Sequence, residues 1–233
     1  MNRFYLGAVT AILGVAVGFG VAAENQQKWG GTAINTVGIP GNGNWQERPF
    51  RLPDVDPKTY TPEQKAAVEA MIRDFGVKQL SGPHRLFIAD PRVFKGVSEL
   101  IVAENNAIAL DKRLVRLVAI MWSKKWNAQF EWFVQASLAK RDGLQPEVIE
   151  AIRVGQKPKF TKSDEQLVFN ALTELFSNNA ISDATFTSLH NTLGYAATAD
   201  FINFSGIFNM AGMVINMLDM KAPAPFPADP VPH

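Results

Sequence analysis

The chain has 233 residues, 47% of them hydrophobic and 19% charged, so it is long and apolar enough for one sizeable globular domain. Its formal net charge is +1, and Arg3 is the one charge before Glu24, so no basic field exists to attract nucleic acid or an acidic membrane surface. It has no cysteine, which excludes disulfides, thiolate nucleophiles, Cys-ligated zinc and any dithiol redox centre.

The N-terminus opens with Met1-Asn2-Arg3, followed by an apolar run from Phe4 to Val21 rich in Gly and Ala. Val21-Ala22-Ala23 puts small residues at the −3 and −1 positions before Glu24. Residues 1–23 therefore read as a secretory signal peptide cut after Ala23, which makes the protein exported, periplasmic or secreted, with no membrane attachment after cleavage. An uncleaved anchor is the other reading, because a run of about 20 apolar residues just spans a bilayer. Residues 24–60 are rich in Gly, Asn and Pro and carry no period. They read as an extended arm pinned by Trp29, Trp45 and Phe50.

Thr61-Pro62-Glu63-Gln64 starts a helix that runs to about Phe75. Thr61 caps, Pro62 suits the first helical position and Gln64 completes a capping box. Ser81-Gly82-Pro83 breaks the chain, and a short helix follows over His84 to Ala89. Asp90-Pro91 starts the next helix, to about Asn106. Asp111 caps a helix carrying Leu114, Leu117, Val118 and Met121 at helical spacing, and a turn near Trp126-Asn127 leads into another that stops at Gly143. Further helices are expected from Gln145-Pro146 to about Val154, from a Thr161 or Ser163 cap to about Ser177, and from Ser182-Asp183 to Gly194. The last runs from about Ala197 to Leu218. It is apolar nearly all round, which predicts full burial or a face against another subunit. The tail, residues 221–233, is proline-rich and expected to be extended. No stretch alternates with period two, so the fold class is all-α, with eight or nine helices.

Four segments, in order, carry a family resemblance. RLPDVDPKTYTPEQKAAVEAM at Arg51, SGPHRLFIADPRVFKGVSEL at Ser81, NAQFEWFVQASLAKRDGLQPEVIEAI at Asn127 and LGYAATADFINFSGIFNMAGMVINML at Leu193 resemble the helical segments of the carboxymuconolactone decarboxylase family, which includes the AhpD-like proteins. The resemblance spans about Arg51 to Pro223 and implies a helical domain over 61–220 that assembles as a homo-oligomer, a trimer or a hexamer. Thiol-active relatives carry CxxCxxxH on the second central helix and a Glu on the first. Here those positions fall on Ala128, Glu131 and Gln135, and on Arg116. Thiol peroxidase chemistry is excluded at this site. The decarboxylase branch relies on the helix His, and Gln135 does not titrate near neutral pH.

Ala128, Glu131 and Gln135 share one helix face, and antiparallel packing of the two central helices would bring Arg116 toward Glu131. The functional reading makes Arg116 a clamp for a carboxylate or other anion, Glu131 a general base and Gln135 a substrate-orienting group. The structural reading is a buried ion pair that holds helix register. His84 is the His best placed for acid/base work, against a surface or capping role. His190 reads as a helix-surface or packing residue, and no metal or cofactor site is expected. Trp122 and Trp132 wall a substrate pocket or fill the core. Met210, Met213, Met217 and Met220 suit flexible packing better than Cu(I). The expected function is cofactor-independent acid/base chemistry, of lyase, isomerase or hydrolase type, on a small organic acid or lactone. The alternative is an inactive relative that binds a small molecule or serves as a structural oligomer.

Overall fold

The computed structural model describes residues 51–75, 80–105, 109–222 and 232. The expected signal peptide, residues 24–50 of the arm and most of the tail lie outside them. Among the described residues there are eight α-helices and no strand: α1 (Pro62–Phe75), α2 (His84–Phe87), α3 (Pro91–Asn105), α4 (Lys112–Trp126), α5 (Gln129–Arg141), α6 (Pro146–Arg153), α7 (Ser163–Asn178) and α8 (Asp183–Met217).

Local chemistry sets most of these boundaries. The Gln64 amide N–H donates to Thr61 Oγ1 at 3.2 Å, and the Thr61 N–H donates to Gln64 Oε1 at 2.9 Å, which is the reciprocal capping box. Gln64 Nε2 also donates to the Ile88 carbonyl (2.9 Å), fastening α1 to the end of α2. Asp111 caps α4 by accepting from the Arg113 N–H at 2.8 Å. Ser182 caps α8 through the Thr185 N–H at 3.3 Å. The expected cap of α7 is not formed. Extended Lys162 occupies that position without a side-chain bond, while the Thr161 hydroxyl accepts from Gln145 Nε2 at 3.0 Å. Within α8, Gly194 breaks the helical path at φ 78°, ψ 172°, a conformation that suits glycine, so the two helices expected on either side of it meet there at an angle.

The central helix is α4. Every residue from Arg113 to Met121 is buried, and α4 touches α3, α5, α6, α7 and α8. The main core joins Leu114, Leu117, Val118 and Ile120 to Val168 and Leu172 of α7 and Phe201, Phe204 and Phe208 of α8. The apolar last helix was expected either to be fully buried or to face another subunit; within the protomer it is not fully buried, and α4 is the helix with that environment. The last helix buries one face and leaves Tyr195, Ile202, Met213 and Met217 exposed. Arg113 and Arg116 lie within the buried stretch of α4 and are held by carboxylates.

The chain entering the domain is tied down as well. The Arg51 N–H donates to the Leu218 carbonyl at 3.1 Å, and Asp54 takes a bidentate grip from Arg85.

Candidate active site

The α4–α5 hairpin positions the expected site residues. Asn127, at φ 50°, ends α4 with its N–H on the Lys124 carbonyl (3.0 Å), and the Ala128 N–H reaches the Ser123 carbonyl (2.9 Å). These bonds satisfy the last carbonyls of the helix and turn the chain within two residues. The tight turn then fixes the register across the hairpin. Arg116 lies eleven residues before Asn127 and Glu131 only four after it. Their levels along the helices therefore differ by seven residues, roughly 10 Å. Gln135 falls between those levels.

The observed contacts follow that arithmetic. Arg116 is fully buried. Its Nη1 donates to the Glu104 carboxylate and, at 3.1 Å, to Gln135 Oε1, while its Nε donates to Asp142 Oδ2 at 2.9 Å. Gln135 Nε2 donates in turn to Glu131 Oε1 at 3.1 Å. The amide orientation is dictated chemically. A guanidinium only donates, so the Gln135 oxygen must face Arg116 and its NH2 must face Glu131. Two expectations are corrected here. The ion-pair partners of Arg116 are Glu104 and Asp142, and the link to Glu131 passes through Gln135. Nor is the guanidinium open to clamp a substrate anion, because it has no accessible surface and is bonded to two carboxylates and an amide.

The electrostatics single out Glu131. Burial works against the Arg116 charge, but Glu104 and Asp142 outweigh it and hold the guanidinium above its ordinary pKa. Burial likewise opposes ionisation of Asp142, yet hydrogen bonds from Arg141 and Arg116 keep its carboxyl below the usual range. Among the described residues Glu131 has no such cation of its own. Burial pushes its carboxyl up, the neighbouring Glu104 pushes the same way, and Gln135 and Arg116 pull back only in part, leaving it at about 7. It is the surplus carboxylate in a cluster where Arg116 and Arg141 already balance Glu104 and Asp142.

His84 is set differently. Its Nδ1 lies 3.1 Å from the Ser81 carbonyl, and its ring stands edge-on to Phe87 and Phe94. The residue keeps some exposure, but Nε2 is buried and has no hydrogen-bond partner among the described residues. Burial pushes the imidazole down to about 4, with the Ser81 carbonyl pushing back. His84 is therefore neutral at pH 7 and unsuited to donate a proton there, contrary to its expected role. Trp132 is 1% exposed and fills the main core. Trp122 packs edge-on to Phe176 with centroids 4.7 Å apart, and its buried Nε1 has no partner. His190 is exposed on α8, as its spacing predicted.

Sequence reasoning missed Glu104 and Asp142. Counting register outward from Asn127 would have placed Asp142 near the level of Arg116, whereas Glu104 comes from α3 and leaves no periodic signal.

No family model matches the chain, and no curated protein matches it. Among solved structures, the crystal structure of an uncharacterized peroxidase-related protein from Silicibacter sp. TM1040 is similar, with a TM-score of 0.61 at 14% identity, over 76% of this chain and 92% of that one. The likeness is one of fold, and it supports the AhpD-like helical architecture that the four segments resemble.

Proposed function

We infer that this is an exported, non-redox member of the carboxymuconolactone decarboxylase-like fold that performs cofactor-independent proton transfer. Glu131 holds the working proton and Gln135 fixes its orientation. The observation that carries this reading is a buried carboxyl, pushed up to about 7 by burial and by Glu104, with Oε1 held by the Gln135 amide. A general acid/base works best when its pKa lies near the operating pH. Arg116 acts as a positioning residue: it holds Gln135 in the one orientation that can donate to Glu131. With Arg116 consumed and a surplus carboxylate present, the site favours a neutral lactone or similar carbonyl compound over an anion. Export is supported by the apolar N-terminal run that ends at Val21-Ala22-Ala23.

The test is a screen of the purified protein against lactones and small carbonyl compounds, beside Glu131→Gln and Arg116→Ala. Turnover whose pH profile inflects near 7 and is lost in Glu131→Gln supports the reading. Equal turnover in all three proteins contradicts it. The full enclosure of Arg116 favours a second reading, an inactive relative in which the cluster only clasps α3, α4 and α5. That reading predicts no turnover from any protein and a Glu131→Gln variant that is simply more stable.

A further inference from the structure

Beyond Gly194, α8 runs from Tyr195 to Met217 with Asp200 as its one charged residue. That carboxylate is engaged by the N–H groups of Ala109 and Leu110, at 2.7 and 3.1 Å. One side of the helix is buried in the protomer. The opposite side leaves Tyr195 81%, Ile202 50%, Met213 42% and Met217 68% exposed. Ala199 and Met210 are partly exposed on the same side. No helix among the described residues is long and apolar enough to cross a membrane.

The exposed side is symmetric about Gly206. Ile202 and Met210 lie four residues from it, Ala199 and Met213 seven, and Tyr195 and Met217 eleven. Steps of four, seven and eleven stay on one face of a helix. A helix whose apolar face reads the same in both directions is complementary to an antiparallel copy of itself, which is what a twofold contact requires. Gly206 gives a second, independent reason. A glycine inside a helix costs roughly 1 kcal/mol relative to alanine. Among the described residues a Cβ at Gly206 would meet nothing within 4 Å, so no contact with them calls for a glycine there. Gly212 differs, since a Cβ there would sit 2.5 Å from the Trp126 ring. At Gly206 a bare backbone lets a second helix come close. The area is also sufficient. Taking about 200 Å² for a large side chain, the four exposed residues offer roughly 500 Å² per protomer, so a pair would bury about 1,000 Å², the floor for a specific interface.

We propose that this face of α8 is a twofold interface with a second copy of the chain, the two helices antiparallel and crossing at Gly206. Ile202 then packs on Met210 of the second copy, Ala199 on Met213, and Tyr195 on Met217. A hexamer built from such pairs shares the interface, whereas a trimer without twofold axes does not.

The chain has no cysteine, so single introduced cysteines report the geometry without background. The full chain, purified as the cell processes it, is examined by light scattering and by mild oxidation followed by non-reducing electrophoresis. An even-numbered assembly is expected. Gly206→Cys should link to its own copy. Tyr195→Cys alone should stay unlinked, because the two copies of that residue lie 22 positions apart along the pair, roughly 33 Å. A mixture of Tyr195→Cys and Met217→Cys protein should link, and Ile202→Glu should shift the assembly toward monomer. A monomeric wild type, an odd-numbered assembly, self-linking of Tyr195→Cys, or a monomer that binds lipid vesicles through this face would overturn the proposal.

Discussion

Replacing Glu131 with Gln keeps the shape of the side chain and removes its proton, so the variant isolates one linkage term. In the unfolded chain Glu131 ionises near its ordinary 4.5, and in the folded protein near 7. Between those values the folded state holds the extra proton. The stability that Glu131 contributes is therefore full below pH 4.5 and is lost as pH rises through 7. The difference between the two pKa values corresponds to about 3 kcal/mol for a group this buried. The glutamine variant has no such term. Relative to wild type it should gain about 3 kcal/mol of stability between pH 4 and pH 8, or roughly 6–12 °C in Tm for a domain of this size. Urea unfolding at a series of pH values, with m held in common, reads this directly. His84 and the other titrating groups are present in both proteins and cancel in the difference. Parallel stability curves across that range would refute the reasoning, because they would mean that Glu131 ionises as it does in the unfolded chain.

Arg116→Met should destabilise the fold by about 3–5 kcal/mol, since it leaves Glu104 buried without its cation and Asp142 with Arg141 alone; adding Glu104→Gln should recover much of that loss in chemical denaturation. His84→Gln should flatten the acid limb of the stability curve. His84 is held neutral, so its contribution is present above pH 6.5 and lost as pH falls toward 4, with an amplitude of about 3 kcal/mol. Gly82→Ala should cost about 2–4 kcal/mol in urea unfolding, because φ is +54° and the new Cβ would sit 2.6 Å from the Phe130 ring.

The helices were legible where their ends are written in local chemistry. The Thr61–Gln64 box, the Asp111 and Ser182 caps and the stop at Gly194 all depend on residues a few positions apart, and all four formed. The α7 cap did not: the cap position falls on Lys162, between the two residues expected to fill it, and Thr161 instead accepts from Gln145, sixteen residues away. The site was legible as an address. Glu131, Gln135 and Arg116 do share one hydrogen-bonded chain. Its charge balance was not legible, since that depends on Glu104 arriving from α3 and on the register set by Asn127. The same long-range pairing explains α4. Arg113 and Arg116 are neutralised by carboxylates from α3, from α7 and from Asp142 just past α5, and every residue from Arg113 to Met121 is buried.

The central claim is that Glu131 carries a proton near neutral pH within a cluster whose other charges are balanced. Labelling the glutamate side-chain carboxyls with carbon-13 and titrating the folded protein by NMR reads that proton directly, with the Glu131 signal assigned by its loss in Glu131→Gln. The account predicts an inflection near pH 7, moving higher in Arg116→Met as the nearest cation is withdrawn. An inflection near 4.5, unmoved by the loss of Arg116, would contradict it.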